Sequence, residues 1–166
     1  MPRQIFKVRV TKDYTVFCAG HFVTYGGDKL EPLHGHNYRA AVVVEGELNE
    51  DNYVIDFIAL KRLLREICNR LDHKMLLATN NPLLDISQNE TSFTVRHHER
   101  TYVFPREDVV QLPIPNTTAE RIAEWISGQI EADFHARGLT SLTALEVEVE
   151  ETFGQSAFYR KELRPN

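Results

Sequence analysis

His34-Gly35-His36 sets two imidazoles two residues apart. On a strand, or entering one, such residues point to the same side, so both rings can reach one metal ion. His21 stands at the end of the preceding extended stretch and offers a third nitrogen. Three neutral imidazoles leave an open position on zinc, the arrangement of a catalytic rather than a closed structural site. Cys18 is a fourth ligand in principle, but three residues from His21 on a strand it faces the other way. A His-x-His pair is also a common chance pattern, and its spacing alone does not separate a metal site from two unrelated histidines.

Three carboxylates add to the chemistry. Asp72 precedes His73, and a carboxylate can orient an imidazole and stabilise its charged form. The competing reading is that His73 and Lys74 complement the negative end of a helix. Glu151 shares the parity of Leu145, Val147 and Val149, so it points inward, where a carboxylate needs a partner or a ligand. A bulge at Glu150-Glu151 would instead return it to water. Glu31 lies three residues before His34, where a ligand, a base and a plain loop charge are all open readings.

The elements that must position these residues follow from periodicity. Residues 5–11 and 14–18 read as extended, 24–33 as a loop around Gly26-Gly27-Asp28, and 36–48 as a long strand. Phe57, Leu60, Leu64, Ile67 and Leu71 fall three or four apart, predicting a helix over 56–71 capped by Asp56. A second helix starts at Thr117 or Thr118, where Thr117 and Glu120 fit a capping box. Ile122, Ile126, Ile130 and Phe134 form its stripe, and Gly138 ends it. Leu145, Val147 and Val149 alternate with glutamates, a half-buried strand, and the last strand begins at Ala157. Within 78–112, residues 93–95 and 101–104 predict a hairpin around His97-His98-Glu99-Arg100. His97-His98 reads there as a hairpin tip rather than a second metal site. The order of elements predicts an α+β fold, an antiparallel sheet with helices on one face, in one domain over 1–166 with an insertion at about 78–112.

Composition excludes several classes. The chain has 166 residues, 42% hydrophobic and 26% charged, ordinary for one globular domain without disulfide support. Net charge is −5, from 19 basic and 24 acidic residues, with no basic stripe, which argues against a nucleic-acid partner. No apolar run reaches the roughly 18 residues of a membrane span, and the first ten residues lack a signal peptide's apolar stretch. No membrane partner and a cytoplasmic location are therefore expected. Cys18 and Cys68 make no disulfide framework, and reduced thiols are the plain reading.

Taken together in order, His21, Glu31-Pro-Leu-His34-Gly-His36-Asn-Tyr38, Val54-Ile-Asp-Phe57, Leu71-Asp-His-Lys74, Thr117-Thr-Ala-Glu120 and Glu151-Thr152 resemble the 6-pyruvoyl-tetrahydropterin and 6-carboxy-tetrahydropterin synthase family. The likeness spans about residues 5–77 and 113–160. It implies a tunnelling fold, a four-stranded antiparallel sheet with two helices on one face, and a homohexamer built as a dimer of trimers with sites between subunits. It implies Zn2+ on His21, His34 and His36, and an Asp72–His73 catalytic pair. Glu151 would anchor the pterin, with Thr118 and Glu120 lining its pocket. One departure stands out. Ordinary members carry a catalytic cysteine shortly before His-Gly-His, and Phe22 to Leu33 contains none. Glu31 instead resembles the subgroup in which glutamate takes that place and the side chain of 7,8-dihydroneopterin triphosphate is cleaved to 6-hydroxymethyl-7,8-dihydropterin for folate synthesis. The alternatives are formation of 6-carboxy-tetrahydropterin on the queuosine route, formation of 6-pyruvoyl-tetrahydropterin, or a catalytically silent pterin-binding protein.

Overall fold

The computed structural model describes residues 4–163; residues 1–3 and 164–166, the ends of the expected 1–166 domain, lie outside them. Four long strands form the antiparallel part of the main sheet: β1 (Phe6–His21), β4 (His34–Gly46), β10 (Leu142–Thr152) and β11 (Gln155–Glu162). Their order is β11-β10-β4-β1. Between β1 and β4, residues read from the sequence as loop hold a small hairpin, β2 (Thr24–Tyr25) and β3 (Lys29–Leu30), whose turn uses Gly26 and Gly27 at φ 57° and 85°. Helices α1 (Phe57–Leu71) and α2 (Ala119–Ala136) pack on one face of the sheet. Leu60, Leu64, Ile67, Ile122, Ile126 and Ile130 meet Val10, Phe17, Val42, Leu145, Val147 and Val149 in the main core. The fold is α+β, as expected. Among the described residues, no helix is long and apolar enough to cross a membrane.

The sheet is larger than the four strands expected. Two more, β5 (Lys74–Ala78) and β9 (Val109–Leu112), continue it beyond β1 in parallel. Three others, β6 (Asp85–Gln88), β7 (Ser92–His97) and β8 (Arg100–Pro105), make a separate antiparallel sheet. The expected hairpin is thus present as β7 and β8, with β6 added. Strand β5 is buried on both sides. Leu76 and Ala78 join the main core, while Met75 and Leu77 join a second core with Phe22, Leu30, Phe93 and Val95. A strand buried on both faces reads as a continuous apolar run, without the alternation that marks a half-buried one.

Three local expectations need correction. The stretches 5–11 and 14–18 are one strand with a bulge, because Thr11 pairs with Ala41 and Val16 with Arg39. Phe57 does not join the apolar stripe of α1; it is 48% exposed, although Asp56 caps the helix by accepting the Ile58 N–H at 2.8 Å. The Thr117–Glu120 capping box does not form. Thr118 is the N-cap and makes no side-chain cap bond, while the Thr117 hydroxyl donates to the Phe22 carbonyl at 3.0 Å. That bond ties the start of α2 to the end of β1.

The bulge in β1 inserts an odd number of residues, so the inward face changes from Val8 and Val10 to Phe17, Ala19 and His21. Thr15 holds it. This buried hydroxyl accepts the Lys12 N–H at 3.1 Å and lies 2.8 and 2.9 Å from the Lys12 and Ala40 carbonyls. Thr15→Val keeps the shape and removes the bonding oxygen. It should destabilise the protein by about 1–3 kcal/mol, read as a lower urea midpoint at unchanged m-value.

Candidate active site

The β1–β4 register brings three imidazoles together. His21 pairs directly with His34, and His36 pairs with Ala19, two positions along on the same inward parity. Ring centroids are 4.7 Å apart for His21–His34, 5.3 Å for His21–His36 and 4.8 Å for His34–His36. One nitrogen from each ring lies within 4.8 Å of the others. Gly35 allows the close pairing, since a Cβ there would sit 3.1 Å from the Ala19 carbonyl oxygen.

Backbone carbonyls fix two of the rings. His21 Nδ1 is 2.9 Å from the Thr117 carbonyl, and His34 Nδ1 is 2.7 Å from the Pro32 carbonyl. A carbonyl only accepts, so each Nδ1 donates, and in the neutral ring each Nε2 then presents a lone pair. Those two Nε2 atoms stand 3.2 Å apart. Two lone pairs so placed repel unless a proton or a cation sits between them. His36 Nε2 is buried without a hydrogen-bond partner and lies 3.4 Å from Glu151 Oε1. His21 is 1% exposed, and burial pulls its pKa down to about 4, against the Thr117 carbonyl and with help from His34 and His36. Three converging ring nitrogens, two of the rings tied to carbonyls through their second nitrogens and the third nitrogen orphaned, fit a zinc-type divalent cation.

Sequence reasoning gave no role to two neighbours. Tyr38 is fully buried, stacks on Phe17 at 4.8 Å and brings its hydroxyl to 3.2 and 3.3 Å from the two His21 nitrogens. Burial pushes its phenol pKa far up, so it stays protonated. Thr117 acts through its backbone carbonyl. Tyr38 was open to detection, because it shares the parity of His34 and His36 on β4. A backbone acceptor from a remote helix start leaves no mark in the pattern of side chains.

Around the imidazoles the structure gathers four of the carboxylate and hydroxyl candidates. Glu31, Thr118, Glu120 and Glu151 line one cleft with Ser156 and Ala157. Glu31 Oε1 is 3.9 Å from His34 Nε2, and its N–H donates to the Val23 carbonyl at 2.8 Å. Glu151 keeps the inward parity beyond Val149 and is half-buried. Asp72 and His73 lie elsewhere in the chain's surface. Asp72 accepts the Cys18 N–H at 2.7 Å and His73 Nδ1 at 2.9 Å. Burial would raise the Asp72 carboxyl, but these donors hold it below its usual range. The pair lines a second cleft with Cys18, Asn37, Arg39 and Phe153. His73 adopts φ 56° and its side chain is 83% exposed. Cys18 is exposed, on the parity opposite His21, and is a free thiol.

Residues 9–162 match the family model described as 6-pyruvoyl tetrahydropterin synthase. A putative 6-carboxy-5,6,7,8-tetrahydropterin synthase from Methanocaldococcus jannaschii is 34% identical over 89% of this chain and 90% of its own. A dihydroneopterin monophosphate aldolase from Pyrococcus furiosus is 32% identical over 69% of this chain and 68% of its own. A solved 6-pyruvoyltetrahydropterin synthase from Plasmodium vivax, a variant with its catalytic glutamate changed to alanine, is 31% identical. It covers 96% of this chain and 99% of its own, with a TM-score of 0.90.

Burial of neutral His21 couples stability to pH. Unfolded, the ring takes a proton below about 6.5, whereas folded it does so only near 4. The unfolded state therefore binds more protons between these values, and stability falls as pH falls through that window. Metal-free protein should lose up to about 3 kcal/mol from this group between pH 6.5 and 4. Denaturant unfolding at stepped pH should show a shallower slope in His21→Gln.

Proposed function

The chain belongs to the 6-pyruvoyl tetrahydropterin synthase family, and from that premise we propose that it is a zinc-dependent lyase that cleaves the side chain of 7,8-dihydroneopterin triphosphate, or a close phosphorylated relative, to 6-hydroxymethyl-7,8-dihydropterin. The observation that carries this reading is Glu31. It lines the cleft, 3.9 Å from His34 Nε2, where the stretch Phe22 to Leu33 supplies no cysteine. The catalytic glutamate of the Plasmodium vivax protein and the aldolase activity named for the Pyrococcus furiosus relative support it.

His21, His34 and His36 would hold the ion. A bound zinc ion supplies Lewis acidity toward the substrate's side chain. Glu151, on the inward face beside His36, accepts two hydrogen bonds from the 2-amino group and a ring N–H of the pterin. Thr118 and Glu120 line the same cleft and bound the ring. Glu31 is the base. A glutamate, unlike a thiol, is ionised at neutral pH without activation. It takes the proton from the side-chain hydroxyl one carbon removed from the ring-attached carbon. The oxygen's electrons close a carbonyl on the departing fragment as the carbon–carbon bond breaks. The bond pair passes to the ring-attached carbon, is delocalised into the ring, and is finally protonated there. No oxidant is consumed.

Asp72 and His73 enter this scheme from a neighbouring copy. Within one chain they line a different cleft from Glu31. A cytoplasmic homohexamer, a dimer of trimers with sites between subunits, would bring the pair of one subunit to the cleft of the next, where His73 returns the proton. Two free cysteines support a reducing compartment. A second reading rests on the Methanocaldococcus jannaschii relative, named as a putative 6-carboxy-5,6,7,8-tetrahydropterin synthase. In that reading the same cleft makes the 6-carboxy product of the queuosine route.

Zinc-loaded protein incubated with 7,8-dihydroneopterin triphosphate should yield 6-hydroxymethyl-7,8-dihydropterin by mass spectrometry. A 6-carboxy- or 6-pyruvoyl-tetrahydropterin product overturns side-chain cleavage, and pterin binding without turnover leaves a silent binding protein. Glu31→Ala should lower kcat by about 100-fold or more while zinc content stays unchanged. Full turnover in that variant removes Glu31 from the acid–base role.

A further inference from the structure

Away from this cleft, a second group of metal-ligating side chains converges. Asp28 sits in the β2–β3 turn, and His97 and His98 sit at the β7–β8 turn, about seventy positions away in sequence. One donor atom from each lies within 4.8 Å of the other two. Asp28 Oδ2 is 2.9 Å from His98 Nε2, and Asp28 Oδ1 is 3.7 Å from His97 Nε2. Tetrahedral zinc with bonds near 2 Å separates its donors by about 3.3 Å, and the two spacings from Asp28 to the histidines bracket that value.

A plain ion pair between Asp28 and a protonated His98 accounts for one of the three contacts. It does not account for His97. That residue is 6% exposed, and its Nε2 is buried with no hydrogen-bond partner, facing the Asp28 carboxylate. An orphaned buried nitrogen costs about 1–3 kcal/mol, and a cation would satisfy it. Nearby positive groups are engaged elsewhere. Arg100 donates to the Leu30 carbonyl at 3.3 Å, and the Lys29 ammonium lies 5.8 Å from the Tyr25 ring centroid. His98 also holds φ 51°, a conformation usually left to glycine or asparagine. Its backbone turns the side chain back onto Asp28.

We propose that Asp28, His97 and His98 form a second divalent-cation site, separate from the imidazole trio. Two imidazoles and one carboxylate suit zinc among the common cations, whereas an all-oxygen set would suit magnesium or calcium. Three protein donors leave the remaining coordination to water. The ion would clasp the tip of the inserted β7–β8 hairpin to the β2–β3 turn. Strand β3 ends at Leu30, immediately before Glu31, so the clasp would steady the segment that presents that glutamate.

The test is zinc stoichiometry on the full, metal-stripped chain, measured by equilibrium dialysis and elemental analysis. Wild type should retain two equivalents. Asp28 and His98 are both mostly exposed, so Asp28→Ala/His98→Ala should fold and lose one equivalent. His34→Ala should lose the other and keep the one at Asp28. In the His34→Ala background, added Zn2+ should slow amide exchange across residues 92–105. Equal zinc content in wild type and Asp28→Ala/His98→Ala overturns the proposal, as does a His34→Ala protein that binds none. If wild type holds a single equivalent that Asp28→Ala/His98→Ala lacks, this site stands and the zinc reading of the imidazole trio falls. Asp28→Asn, which preserves volume, should reproduce the loss.

Discussion

Two imidazole nitrogens 3.2 Å apart are the constraint around which this fold is arranged. Imidazole nitrogens do not approach in that way unaided. They are held there by the antiparallel register of β1 and β4 and by carbonyls that fix each tautomer. One carbonyl comes from Thr117, before α2, and the other from Pro32, in the loop before β4. The site therefore draws on an element more than ninety residues from His21. The Thr117 hydroxyl adds a direct tie to the Phe22 carbonyl. The same residue thus fastens the helix start to the strand end and orients the buried ring, which is why it is not spent on a capping box.

The strands that carry the three histidines are fixed in turn by their apolar faces. Val42, Val147 and Val149 set the sheet against both helices, and a one-residue slip would exchange buried for exposed positions along the whole strand. The β1 bulge is compatible with this because it changes parity once, before the functional end. Without it, the face that begins with Val8 and Val10 would carry Cys18 inward and His21 outward. The convergence of the imidazoles and the packing of the core are thus two consequences of one register.

Most of the fold was legible because its elements are amphipathic. The stripes of α1 and α2, the alternation of β10 and the length of β4 follow from side-chain period. Strands β5 and β9 escaped for a physical reason. Met75 to Ala78 serve two cores at once and show no period, and β9 is a short segment between prolines. Phe57 misled because spacing alone does not register that the first turn of the helix, Phe57 and Ile58, is left exposed. In the site, strand parity paired His34 with His36 and offered an inward Glu151, while His21 entered only as the end of the preceding strand. The separation of Asp72–His73 from Glu31 was not legible, because it depends on how α1 delivers its last turn to β1. That placement is set by the Cys18 backbone, whose N–H and carbonyl engage Asp72 and His73.

The inserted segment gains a rationale from the loop that carries Glu31. Residues 22–33 contain little regular structure, yet a carboxylate proposed as the base must be held within a fraction of an ångström. Phe22 and Leu30 anchor this loop in the second core, against Phe93 and Val95 of β7 and Met75 and Leu77 of β5. Phe22 also stacks on Tyr102 of β8 at 5.1 Å. Asn81 donates to the Thr24 hydroxyl, and Asn116 bridges both the N–H and the carbonyl of Thr24. The insertion is therefore not an ornament on the far edge of the sheet. It contributes Phe93 and Val95 to the second core, which with Met75 and Leu77 of β5 forms the apolar floor beneath the loop that carries Glu31.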